Sequence, residues 1–134
     1  MHVPAVAALY AGILGALGLF LAARVIAGRV KHAVEIGDAG NEDMTLRIRA
    51  FGNFVEYVPL VLVLLALAEG AGAPRWAIHA AGVALVAGRV LHAWGLSRTR
   101  KFNAFRFAGT NLTFAALLGG TAAAVWTALR NGAL

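Results

Sequence analysis

"RAFGNFVEYVP", residues 49–59, decides how the chain is read. The sequence around it is apolar enough to cross a membrane, yet the stretch carries an arginine, an asparagine and a glutamate. Arg49, Asn53 and Glu56 stand at i, i+4 and i+7, so on a helix they share one face. At 1.5 Å per residue the stripe covers roughly 10 Å of axis, which places Glu56 about two turns inside the span. At mid-span an ionised carboxylate costs on the order of 3 kcal/mol. A stripe with opposite charges at its two ends needs a partner helix, water or a ligand.

The rest of the chain makes this a membrane question. Of 134 residues 60% are hydrophobic and 13% charged, and mean hydropathy is +0.75. A soluble domain rarely exceeds half apolar. The net charge of +6 comes from 12 Lys+Arg against 6 Asp+Glu. No basic stripe is interleaved with aromatics on a soluble face, so nucleic acid is not expected as a partner. The bias of membrane loops toward Lys and Arg explains the charge better. With no cysteine, disulfides, thiolate metal sites and a cysteine nucleophile are excluded.

Working outward, a spanning helix needs about 20 mainly apolar residues. Four are expected, over residues 3–27, 47–69, 75–96 and 104–130, in one all-α membrane domain covering the chain. The first lacks a Lys/Arg n-region and reads as a retained helix rather than a cleaved signal. Arg24 and Arg29 mark its exit. "KHAVEIGDAGNEDMTLR", residues 31–47, reads as the one extended loop. The short "EGAGAPR" link, residues 69–75, implies that the second and third helices pack as an antiparallel pair.

The first connection holds Arg29, Lys31, Arg47 and Arg49, and the third holds Arg98, Arg100, Lys101 and Arg106. The opposite side has Arg75 and Arg130. Both basic loops are therefore expected in the cytoplasm and both termini outside. Small residues at Gly12, Gly15 and Gly18, the Ala11–Gly15 spacing, and "GGTAAA" at 119–124 are expected to mediate helix contacts.

The third span carries its own polar pair, Arg89 and His92 in "GRVLHAWG". A lone histidine there reads as a packing residue, but the two together, at the depth of the Arg49 stripe, favour a shared site. The histidines at 2, 32, 79 and 92 show no metal spacing, and no metal is expected. Every span brings an arginine to the same boundary. Lipid phosphate explains boundary arginines, whereas the deeper Arg89 and Glu56 favour an anionic ligand. A polar clamp between helices remains the alternative reading of the stripe.

"RAFGNFVEY" resembles the second-helix signature of the MAPEG family, the membrane-associated proteins of eicosanoid and glutathione metabolism. The matching positions are Arg49, Ala50, Asn53, Glu56 and Tyr57. "RVLHAWG" resembles the family's third-helix segment, and residues 24–49 resemble the loop of its small bacterial branch. The resemblance implies a homotrimer of four-helix subunits, with glutathione held at the cytoplasmic end between neighbours. It implies that Arg29, Arg49, Asn53, Glu56, Tyr57, Arg89 and His92 contact glutathione and that Arg106 stabilises its thiolate. It further implies transferase or peroxidase chemistry on lipophilic electrophiles from the bilayer. The chain departs from the eicosanoid branch in having no tyrosine in "AWGLSRT" and in placing Phe107 after Arg106. A non-catalytic trimer that binds lipid, glutathione or a protein is the second reading. A small transporter is the third, although polar groups crowded at one end fit it poorly.

Overall fold

The computed structural model describes residues 3–99 and 101–133, so His2 and Arg100 lie outside the described residues. Among the described residues the chain forms four helices: α1 (Ala5–His32), α2 (Glu42–Gly70), α3 (Arg75–Leu96) and α4 (Ala104–Arg130). Each is long and apolar enough to cross a bilayer. Helices suit that solvent because they satisfy their own backbone groups where no water can. Large apolar side chains such as Leu9, Ile13, Leu67, Val83 and Leu118 face outward. Leu14, Val61, Leu65, Ile78 and Leu85 fill the interior.

Two helix ends lie a turn or more beyond the sequence reading. α1 runs on to His32, past the expected residue 27, and α2 begins at Glu42 rather than 47. The connection shrinks to residues 33–41. Hydropathy misses these turns because polar contacts hold them. Asn41 Oδ1 accepts the Met44 N–H at 3.0 Å and caps α2. Asp43 meets His32 at 2.8 Å and Arg47 at 3.0 Å. Arg47 also donates to the carbonyl of Arg24 at 2.8 Å. Gly28 lets this hairpin close, since a Cβ there would lie 2.6 Å from Met44 Sδ and 2.7 Å from Arg47 Cδ. Arg24 and Arg29 are thus helical residues.

α1 packs on α2 and α3, α4 packs on α3 and α2, and α1 and α4 do not meet. The α3–α4 seam is the tightest. A Cβ on Gly109 would fall 2.5 Å from the His92 backbone nitrogen and 2.6 Å from the Gly88 carbonyl. Of the small residues expected at the contacts, Gly18, Gly120, Ala123 and Ala124 face a neighbouring helix or the core, and the others face open space. A Cβ added at Gly12, Gly15 or Gly119 would meet no other helix within 4 Å, whereas one at Gly18 would lie 3.0 Å from the Phe54 ring. Close approach relies on Gly28 of α1 and on glycines of α3 and the start of α4, while the α1 face carrying Gly12 and Gly15 stays open. α2 continues through Pro59 without a break.

At the end away from the basic loops, α1 starts after Pro4 with no side-chain cap of its own. Glu69, 5% exposed, supplies one from the last turn of α2. Its Oε1 accepts from Val6 N–H at 3.0 Å and its Oε2 from Ala7 N–H at 2.7 Å. Both carboxylate oxygens are used, at the positive end of a helix dipole.

Candidate functional site

At the loop end, α2, α3 and α4 enclose an open cleft of about 280 Å³. α2 contributes Thr45, Leu46, Arg49 and Asn53, α3 contributes His92 and Leu96, and α4 contributes Arg106. Four of the expected site residues therefore meet: Arg49, Asn53, His92 and Arg106. His92 is buried and has no hydrogen-bond partner among the described residues, so its ring is available to what enters the cleft.

Arg106 stands in the first turn of α4 because Asn103 starts that helix. Asn103 Oδ1 accepts the Arg106 N–H at 2.8 Å, and its Nδ2 donates to the Gly95 carbonyl at 2.8 Å. A Cβ on Gly95 would lie 2.7 Å from the Arg106 nitrogen. Gly95 and Asn103 thus seat the first turn of α4 on the last turn of α3.

Arg89 lies one turn below His92 and is 3% exposed. Its Nε and one terminal nitrogen donate to Thr113 Oγ1. The same terminal nitrogen reaches the Gly109 carbonyl at 3.5 Å. The other donates to Asn53 Oδ1 and, at 3.3 Å, to the Asn53 carbonyl. Its guanidinium carbon is 5.8 Å from the centre of the Tyr57 ring. Among the described residues no carboxylate lies within 4 Å of it. Arg89 thus ties three helices together through neutral dipoles and leaves its charge under the cleft. Its guanidinium nitrogens are all engaged, and two of those bonds fix the position of Asn53 beside the cleft.

The remaining expected residues are placed elsewhere. Glu56 does not pair with Arg89. It is 51% exposed on the outer face of α2, with Oε1 3.8 Å from an Arg49 terminal nitrogen that is itself on a 60%-exposed side chain. Tyr57 packs edge-on against Phe114, ring centres 5.7 Å apart, and does not line the cleft. Arg29 donates to the carbonyls of Val34, Glu35 and Gly37 and holds the α1–α2 loop. Of the supporting residues, Asn103 carried a legible signal, an asparagine just before an apolar helix. Thr113, whose hydroxyl also donates to the Gly109 carbonyl at 2.8 Å, carried none.

The arrangement presents two guanidiniums, an amide and an imidazole at the loop-side boundary, above a third, buried guanidinium. It is suited to an anion with further hydrogen-bonding groups. The comparisons with known proteins agree with the sequence motifs. The inner membrane protein YecN of Escherichia coli K12 is 36% identical over 121 residues, which are 90% of this chain and 91% of that protein. YecN of Escherichia coli O6:H1 matches to the same extent. Residues 7–126 match the MAPEG family, and the chain is an integral membrane protein that belongs to it.

Proposed function

We propose that the chain is a glutathione-dependent transferase or peroxidase acting on lipophilic electrophiles, and that it works as a homotrimer in the bacterial inner membrane. The basic loops face the cytoplasm and both termini face away from it. The observation that carries this reading is the cleft itself, with Arg49 and Arg106 on its walls, Arg89 beneath, and no carboxylate among the described residues that line it. Glutathione has two carboxylates to set against guanidiniums and an ammonium to set against Glu56. At about 280 Å³ the cleft falls just short of the ~300–1,000 Å³ usual for small-molecule sites, which suits one wall supplied by a second copy. The open faces at Gly12 and Gly15 and the exposed Glu56 suit the same assembly. Arg29, engaged in its own loop, belongs to this reading as a residue offered across a subunit boundary.

A free thiol with a pKa near ~8.5 is mostly protonated at neutral pH, and an adjacent guanidinium favours the thiolate. Arg106 fills that role as an electrostatic stabiliser, with the proton passing to water. In the transferase step the thiolate sulfur bonds to the electrophilic carbon, and the displaced group leaves with its electron pair.

The test is a titration with glutathione, followed by ultraviolet thiolate absorbance, on wild type, Arg49→Ala and Arg106→Ala. Loss of the thiolate signal in Arg106→Ala, with binding retained, is the expected result. Failure of the folded wild type to bind glutathione at millimolar concentration sinks the reading. Binding without a thiolate signal in any form supports the second reading, a non-catalytic binder, which the absence of a tyrosine in residues 93–99 favours.

A further inference from the structure

Away from the cleft, α1 and α3 leave a groove of about 390 Å³ between them. Phe20, Leu21, Val90 and Trp94 form its walls, and Arg24 and Arg98 stand at its loop-side mouth. Arg24 is held in place there. Its terminal nitrogen donates to Ser97 Oγ at 2.7 Å, and Ser97 Oγ donates to the Ala93 carbonyl at 2.6 Å. The guanidinium carbon of Arg98 lies 4.6 Å from the Trp94 ring centre, and that of Arg24 lies 6.0 Å from the Phe20 ring. Aromatic faces steady both cations without neutralising them. Among the described residues no carboxylate comes within 4 Å of either arginine, and none lines the groove.

We propose that this groove holds one anionic phospholipid, its phosphate between Arg24 and Arg98 and an acyl chain along Phe20, Leu21, Val90 and Trp94. The depth fits. Arg24 stands eight residues before the end of α1, about 12 Å along the axis, and its bond to Ser97 sets it level with the end of α3. That is headgroup height for α3, while α1 and α2 rise above it as the capped hairpin. A soluble phosphate ion has no use for the apolar walls behind the arginines. Phosphatidylcholine would bring its own cation toward two guanidiniums. A net-anionic headgroup on an acyl chain matches both halves of the groove, and each arginine contributes about fivefold to the preference.

Trp94 lines the groove and reports on it. Trp76 and Trp126, at the other end of the bundle, are replaced by Phe, and the protein is placed in mixed phosphatidylcholine and phosphatidylglycerol bilayers. One lipid at a time carries brominated acyl chains, and quenching of Trp94 is compared at equal mole fraction. Brominated phosphatidylglycerol is expected to quench well beyond its mole fraction. Arg98→Gln should lower that excess about fivefold, and Arg24→Gln/Arg98→Gln should abolish it. Arg98→Gln keeps the Arg24–Ser97 bond, so its result does not depend on how the double variant folds. Arg75→Gln, at the far end, should leave the excess unchanged. Equal quenching by the two lipids overturns the proposal. So does an excess insensitive to Arg98→Gln, or the absence of quenching by either lipid, which would mean that protein covers the groove.

Discussion

The two ends of the bundle treat buried charge in opposite ways. Away from the basic loops, the Glu69 carboxylate receives two backbone N–H groups from the start of α1, and both its oxygens are used. At the loop end, the Arg89 guanidinium donates to hydroxyl, amide and carbonyl oxygens and, among the described residues, to no carboxylate. One charge is offset by a helix terminus and closes a joint between α1 and α2. The other is solvated by dipoles and lies beneath an open cleft with two more arginines on its walls. Stability explains the first arrangement. It does not explain the second, because a buried cation without a counter-charge is costly compared with an apolar side chain of the same size.

Glycine spacing offers the largest test of this contrast. At Gly109 an added methyl strikes backbone, with His92 N at 2.5 Å and Gly88 O at 2.6 Å, and neither can step aside. Gly109→Ala is expected to cost about 3 kcal/mol by overpacking the α3–α4 seam and to disorder the cleft above it. At Gly120, toward the other end of α4, the nearest atoms are Leu64 and Leu65 side chains at 3.5 Å. Gly120→Ala is expected to fold at least as well as the wild type, gaining about 0.5 kcal/mol of helix preference. Thermal unfolding in detergent separates the two. Equal loss in both would mean that the seam is no tighter at the cleft end.

The next effect belongs to the closed end. Glu69→Ala leaves the Val6 and Ala7 N–H groups buried without acceptors and should cost about 2 kcal/mol. Glu69→Gln keeps one acceptor oxygen and should recover part of the loss. Hydrogen exchange at the first turn of α1 checks both, and unchanged protection in Glu69→Ala would show that the carboxylate is not the cap.

This joint also shows where sequence reading stops. The four spans were legible because hydrocarbon demands long apolar helices. The Arg49–Asn53 part of the polar stripe was legible because i, i+4 spacing is a property of one helix. Glu56 shares their helical face, but that face straddles the cleft wall and the outer surface, and which side a residue takes depends on the neighbouring helix. The bond between Glu69 and α1 joins residues more than sixty positions apart, with no local pattern to mark it. Thr113 is equally silent, because its role exists only once α3 and α4 touch. The extra turns of α1 and α2 were hidden for a different reason. Their residues are polar, and the capping by Asn41 and the Asp43 contacts that make them helical do not register in hydropathy.

The smallest expected effect bears most directly on the open end. Arg89→Met keeps a long unbranched side chain in the same space and removes the charge. Asn53 borders the cleft and can turn its amide to water, and the Thr113 hydroxyl keeps its bond to the Gly109 carbonyl, so the fold should lose under about 1 kcal/mol. The cleft loses the field of one cation lying roughly a helix turn or two beneath it, which at intermediate dielectric amounts to about 1 kcal/mol, or about fivefold in affinity for an anion. Glutathione titration against thermal unfolding reads the two quantities separately. If Arg89→Met weakens binding while leaving unfolding almost unchanged, the buried guanidinium serves the ligand. If unfolding suffers as it does in Glu69→Ala and binding follows only through loss of folded protein, Arg89 is a strut like Glu69, and the two ends of the bundle differ in charge but not in purpose.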